Sequence, residues 1–411
     1  MSYKIRYILD KGILSSKIIR YIFRFYKRGQ KRKMKHKEIF KFIKKEVVLV
    51  IAISLAIISA IIVPPSKKYM DYIDFRTLAI LFCLMTVTAG LKRQEVFEKM
   101  GQFLLLKTRN LFQLILVLIT LCFFSGMIIT NDVALITFVP FTFVVFNMLR
   151  EEQRKKLILP VICIQTIAAN MGSMLTPLGN PQNLYLYGKS GMSLGRFCLI
   201  MLPYTVVSLA LIILWTAFIS RKVDRKIEKD WIKIENVNGD KKIIVMHFLM
   251  FILCLLVVLR IIDYKYIFVI TLLANIIFDR KTLKNVDYSL LFTFIGFFIF
   301  VGNIRSITAF SNWINVIING NEIMVAVLSS QIISNVPTAL LLSGFTDKIR
   351  LLVIGTNIGG LGTLIASMAS LISYQQIVRE LPGRKGEYFK LFTIANIVFL
   401  IIMLMVRVIT K

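Results

Sequence analysis

Apolar runs follow one another along this chain, with short polar breaks between them. They lie near 46–63, 77–91, 111–129, 133–148, 157–187, 197–219, 243–260, 265–279, 289–304, 321–345, 351–378 and 389–410. Many approach the ~20 residues that a helix needs to cross a bilayer. So many runs exceed what one soluble core can use, and the pattern predicts an all-α polytopic membrane protein. Runs 111–129 and 133–148 are joined only by Thr130-Asn131-Asp132, and run 321–345 is interrupted by Ser334-Asn335. Each of these predicts a re-entrant helical hairpin, leaving nine crossings.

Two further runs carry longer polar breaks. The first reads Ala169-Asn170-Met171-Gly172-Ser173-Met174-Leu175-Thr176-Pro177-Leu178-Gly179-Asn180-Pro181, the second Thr356-Asn357-Ile358-Gly359-Gly360-Leu361-Gly362-Thr363. Unpaired backbone is costly in lipid, so a helix interrupted at mid-depth must lie within protein or beside a water-filled cavity. Discontinuous helices at matching places in two halves point to the binding site of a transporter.

The halves repeat. Ile73-Asp74-Phe75 is matched by Val286-Asp287-Tyr288, Ile128-Ile129-Thr130-Asn131 by Ile332-Ile333-Ser334-Asn335, and Asn170-Met171-Gly172 by Asn357-Ile358-Gly359. Counting crossings puts Asp74 and Asp287 on opposite sides, so two inverted repeats are expected, each with a re-entrant hairpin and a broken transmembrane helix. The division is a basic arm at 1–45, a first membrane repeat at 46–219, a loop and linking span at 220–264, and a second inverted repeat at 265–411.

Composition agrees: 57% of residues are hydrophobic and mean hydropathy is +0.73. A net charge of +30 raises the question of nucleic acid, and its distribution answers it. Residues 1–45 hold 16 Lys/Arg against Asp10 and Glu38. With the N-terminus cytoplasmic, the inner segments hold 40 of the 52 Lys/Arg and the outer ones 12, so none lies within the membrane. That bias is the signature of orientation in a cell membrane, and the apolar runs exclude a soluble nucleic-acid binder. The arm reads either as an amphipathic helix on anionic lipid or as a disordered basic tail. No cleavable signal peptide is expected, because 45 residues precede the first apolar run. Lys107 and Arg109 before the first hairpin, and Arg150, Arg154, Lys155 and Lys156 after it, put both its ends in the cytoplasm. How deep its tip reaches is open at this point.

Chemistry-bearing residues are few. Asp132 is the one acid inside an apolar region. An ionisable group at mid-span costs about 2.5–3.5 kcal/mol on insertion scales. It reads as a ligand for Na+, a proton carrier, or a cap on the helix that follows. Asn131 and Asn335, at matching tips, carry amides able to hold a cation through oxygen or an oxyanion through N–H; turn formation is the plainer role. The breaks expose helix N-termini and free carbonyls, suiting an anion and Na+ respectively. The expected substrate ligands are Thr130, Asn131, Ser173, Thr176, Asn180, Asn183, Ser334, Asn335, Thr338 and Thr363. For ion coupling they are Asn131, Asp132, Asn170, Gly172, Asn335, Asn357 and Gly359, with Na+ as the possible coupling ion and no transition metal. Close helix packing is the other reading of the glycines. Cys83, Cys122, Cys163, Cys198 and Cys254 lack CxxC or His spacing and read as core or lipid-facing; His36 and His247 lack ligand company. No nucleophile–base pair supports a membrane enzyme. Without an intramembrane Lys or Arg, an anion would rely on dipoles, amides and a co-bound cation.

These strings resemble the ion-transporter superfamily that includes divalent-anion:sodium symporters, citrate transporters, arsenite permeases and a group of sodium/proton antiporters. The resemblance covers about residues 46–410. Thr130-Asn131-Asp132 and Ser334-Asn335-Val336 stand where the symporters carry Ser-Asn-Thr. Gly179-Asn180-Pro181-Gln182-Asn183 is similar to their Gly-Thr-Pro-Pro-Asn string, while Ala366-Ser367-Met368-Ala369-Ser370 lacks the prolines. The Thr-Asn-Asp tip is closer to the arsenite permeases. The resemblance implies a scaffold and a transport domain, hairpins meeting near mid-membrane, elevator-like movement and often a homodimer. The expected activity is secondary-active transport of a small anion coupled to Na+ or H+; sodium/proton antiport and arsenite efflux are the alternatives.

Overall fold

The computed structural model describes residues 46–97, 99–100, 103, 108–221 and 239–410. The basic arm at 1–45, and so both expectations for it, lies outside the described residues, as does His36. Regular elements among the described residues are all helical. Seven of these helices are long and apolar enough to cross a membrane, consistent with a polytopic membrane protein.

Contacts divide the chain into two compact units. The first contains α1 (Val47–Ile62), α2 (Lys68–Tyr72), α11 (Tyr288–Ser306) and the start of α12 (Thr308–Ile318). Small residues let α1 approach α11: a Cβ at Gly296 would lie 3.0 Å from the Ala52 carbonyl carbon. The buried Asn303 amide donates to Ser59 Oγ at 3.0 Å and Tyr69 Oη at 2.8 Å, and Tyr69 Oη donates to the Val63 carbonyl at 2.6 Å. Side-chain hydrogen bonds therefore tie α2 to both longer helices. The stretches 64–76 and 305–320, left between the apolar runs, contain α2 and α12. Both helices are too short to register as apolar runs.

The second unit contains the rest. Its first hairpin is α4 (Leu111–Ile129) and α5 (Asn131–Asn147); its first broken helix is α6 (Glu151–Ser173) and α7 (Pro181–Ser190). The second hairpin is α13 (Glu322–Ile333) and α14 (Asn335–Leu342); the second broken helix is α15 (Ile349–Ile358) and α16 (Met368–Glu380). Around these stand α3 (Phe75–Arg93), α8 (Leu194–Ser220), α9 (Lys241–Val258), α10 (Tyr264–Phe278) and α17 (Lys385–Ile409).

Helix α6 is interior. Its most apolar stretch is 89% buried, against 33% for α8 and for α17. That burial explains its modest apolarity, because its polar groups find partners in the protein. Gln165 donates to the Leu118 carbonyl at 3.0 Å and to Thr142 at 2.8 Å, and Thr166 donates to Ser373 at 2.7 Å. By contrast α8 turns Leu199 and Leu214 outward, as a lipid-facing helix does. His247 is structural: its ring packs on Gly90 and contacts the Ile243 carbonyl and Asn275. The five cysteines are free, four of them buried.

Candidate functional site

Each hairpin tip is a single residue. Between α4 and α5 only Thr130 leaves the helix, at φ 77° and ψ 146°; between α13 and α14 only Ser334 does, at φ 74° and ψ 157°. This region of backbone space is essentially reserved for glycine and costs about 1–3 kcal/mol otherwise. The same main-chain anchor holds both tips. Asn131 N–H donates to the Gly179 carbonyl at 3.0 Å, and Asn335 N–H donates to the Ala366 carbonyl at 3.0 Å. Positive φ thus falls on Thr130 and Ser334 and not on the asparagines, so turn formation does not occupy the Asn side chains.

In the first break, Asn180 caps α7 by accepting from Asn183 N–H at 3.0 Å, with Pro181 at the first helical position. The Asn183 amide is shared among the carbonyls of Ser173, Met174 and Thr176 at 3.2–3.4 Å. Thr176 Oγ1 donates to the Met127 carbonyl of the hairpin. Packing accounts for Gly172: a Cβ there would lie 2.0 Å from the Phe123 carbonyl oxygen.

The second break is held from outside. Gln331, on α13, donates to the Gly359 and Leu361 carbonyls at 3.0 and 2.9 Å and accepts from Thr363 N–H at 2.9 Å. Thr363 is exposed, and its hydroxyl donates to the Gln331 carbonyl at 3.2 Å. A Cβ at Gly359 would lie 2.7 Å from Ser330 Oγ, so close packing accounts for this glycine too.

The breaks meet. Asn357 donates to Asn183 Oδ1 at 2.6 Å, and Asn180 donates to Asn357 Oδ1 at 3.3 Å and to Ser173 Oγ at 3.2 Å. Asn170 Oδ1 accepts from Asn131 at 3.0 Å and from Ser367 at 3.0 Å. Ser367 follows Ala366, the anchor of Asn335, so the tips are connected through Asn170 and the Ala366-Ser367 pair. Bonds from the tips run to residues just ahead of α7 and α16, which brings four positive helix N-termini, those of α5, α7, α14 and α16, to this network. No Lys or Arg takes part in these bonds.

Several buried polar atoms here have no partner among the described residues: Asp132 Oδ1, Asn170 Nδ2, Thr338 Oγ1, Ser370 Oγ and both amide atoms of Gln182. Such groups are costly unless something satisfies them. Asp132 is not the cap of α5. Thr130 takes that place, its Oγ1 3.5 Å from Val133 N–H, while Asn131 Oδ1 accepts from Asp132 N–H at 2.9 Å. Of the expected residues, Asn131, Asn170, Ser173, Asn180, Asn183, Ser334, Asn335 and Asn357 join the network. Thr176 and Thr363 serve the edges of the breaks, and Thr338 and Asp132 carry unpartnered oxygens. Gln182, Gln331, Ser367 and Ser370 did not emerge from the sequence as ligands, although three of them sit inside the strings 179–183 and 366–370 that carry the family resemblance. No group of three or more His, Cys, Asp or Glu occurs among the described residues. The oxygens available to a cation here are those of amides and main-chain carbonyls, with the Asp132 carboxylate.

Comparison with known proteins gives a consistent picture. A family model described as citrate transporter matches residues 38–346. An uncharacterized transporter of Methanocaldococcus jannaschii is 34% identical over 306 residues, covering 73% of this chain and 80% of its own length. The inner membrane protein YbiR of Escherichia coli is 29% identical over 315 residues, 75% of this chain and 81% of its own. The silicon efflux transporter LSI3 of Oryza sativa is 29% identical over 131 residues, 32% of this chain and 26% of its own.

Proposed function

The chain belongs to the citrate transporter family and is a membrane transporter, and from that premise we propose a secondary-active carrier of a small carboxylate- or oxyanion-like anion, driven by Na+ or H+. One observation carries the reading: four helix N-termini and a set of buried asparagine amides converge at one network that contains no basic side chain. Helix N-termini and N–H groups favour an anion. Unwound carbonyls, amide oxygens and the Asp132 carboxylate favour a small hard cation beside it. The unpartnered Asn170 Nδ2, Thr338 Oγ1, Ser370 Oγ and Gln182 amide supply donors for the anion. Inverted repeats, a cytoplasmic N-terminus and a homodimer belong to this proposal.

The test is uptake into proteoliposomes of labelled citrate, smaller dicarboxylates and inorganic oxyanions under imposed Na+ or pH gradients. Uptake of one class, stimulated by one gradient, is expected. No flux of any candidate under either gradient overturns the reading. Asp132→Asn is expected to flatten the dependence of transport on pH or Na+; an unchanged dependence removes Asp132 from the coupling site.

The unpartnered carboxylate oxygen of Asp132 favours a second reading, sodium/proton exchange, in which Asp132 alternates between H+ and Na+. Dye-quenching assays in everted vesicles separate the two. Na+-dependent proton movement with no anion added supports exchange.

A further inference from the structure

A long groove runs between α6, α8 and α17 on the second unit, lined by none of the residues of the hairpin tips or the breaks. It has room of about 770 Å³. Its wall is apolar, built from Leu211, Leu214, Trp215 and Phe218 of α8 and from Val398 and Ile402 of α17. Its mouth is different: Lys155 and Lys156 of α6, with Arg384 just ahead of α17, stand at one end. The groove follows α17 from Arg384 to Ile402, a length of about 27 Å at helical rise. Apolar length below a cluster of bases is the outline of an acyl chain under an anionic headgroup.

We infer that this groove is a binding site for an anionic phospholipid, with its phosphate at Lys155, Lys156 and Arg384 and an acyl chain along α8 and α17.

Charge supports this choice of occupant. The two segments forming the mouth, 150–156 and 384–387, carry six bases against three acids. The acids are spoken for locally: Glu151 pairs with Lys155 at 2.5 Å, Glu152 with Lys156 at 2.7 Å, and Glu387 with Arg384 at 2.6 Å. The two lysine pairs are exposed single-turn contacts, the kind that contribute little and exchange readily. Each lysine keeps donors to spare. Arg384 also donates to the Lys155 carbonyl at 2.8 Å, which fixes its guanidinium at the mouth.

Trp215 provides the second observation. It lies five residues before the end of α8, about 8 Å below the mouth along the helix axis. Its indole packs near the Phe399 ring, with centroids 6.3 Å apart, and its N–H is buried, so the ring lines the groove with apolar surface. Tryptophan is enriched at the membrane interface, the depth at which an acyl chain leaves its headgroup.

The chain has three tryptophans, so replacing Trp231 and Trp313 by Phe leaves Trp215 as a single reporter. The full chain carrying those changes is reconstituted in phosphatidylcholine, and phosphatidylglycerol or phosphatidylcholine with bromine-labelled acyl chains is titrated in. Half-quenching of Trp215 is expected at a lower mole fraction of the phosphatidylglycerol, by roughly fivefold for each base that engages the headgroup. The triple variant Lys155→Gln, Lys156→Gln, Arg384→Gln should bring the two curves together. If that variant does not elute as the parent does, the exposed Lys156→Gln alone should narrow the gap. Coincident curves in the parent overturn the proposal, because they mean lipid contact without headgroup selection. Absence of quenching by either lipid also overturns it, because another occupant, such as a second copy of the chain, then covers the groove.

Discussion

The two broken helices solve one problem in two ways. The first leaves seven residues outside regular helix, between Ser173 and Pro181, and the second nine, between Ile358 and Met368. The first break is stitched from within: Asn180 caps the returning helix and Asn183 collects the loose carbonyls. The second contains no such asparagine after Asn357 and borrows Gln331 from the adjacent hairpin. In both halves side chains also tie the break to its hairpin, Thr176 to the Met127 carbonyl and Asn131 to Asn170 in the first. What differs is the source of the stitching: the first break's carbonyls are held by an asparagine of its own returning helix, the second's by a glutamine of the neighbouring hairpin.

Asn183→Ala should do the greatest damage. It removes the donor shared by three carbonyls, the Ser173 and Met174 bonds among them buried, and the acceptor for the buried Asn357, at a cost of about 3 kcal/mol or more. A large drop in the melting temperature of the purified protein, with loss of transport, is expected; a shift smaller than that of Gln331→Ala would break the comparison. Gln331→Ala should be milder, about 1–2 kcal/mol, because Gln331 is part-buried and water can replace part of what it provides. Its signature is selective: amide exchange should accelerate at Thr363 and leave Asn183 protected, whereas uniform acceleration would mean that the two breaks are not separately held. Thr363→Val should change stability by about 0.5 kcal/mol or less, since the side chain is exposed and its N–H still reaches Gln331. A larger loss of stability or of transport would place Thr363 at the substrate.

Much of this was legible in the order of residues. A hairpin tip inside an apolar run has to show as a polar interruption, since lipid tolerates no other kind of turn, and Thr130-Asn131 and Ser334-Asn335 showed it. The breaks were legible for the same reason. Their stitching was not. Gln331 lies within a helical run and looks like an ordinary polar residue on α13; only tertiary placement turns it toward the Gly359 and Leu361 carbonyls. Gly172 and Gly359 read as coupling residues because their strings repeat, yet each sits where a neighbour, Phe123 or Ser330, leaves no room for a Cβ. Asparagine is the default left-handed turn residue, so nothing in the residue order marks Thr130 and Ser334 for the positive φ.

The anchors of the two tips run from one peptide group to another, Asn131 to Gly179 and Asn335 to Ala366. No side chain is needed at either end. Tip strings as different as Thr-Asn-Asp and Ser-Asn-Val can therefore dock alike, and relatives can retune what the carrier recognises without undoing how its hairpins seat. Alanine scanning would pass over Ala366 entirely; replacing the amide with an ester at position 335 would reach it.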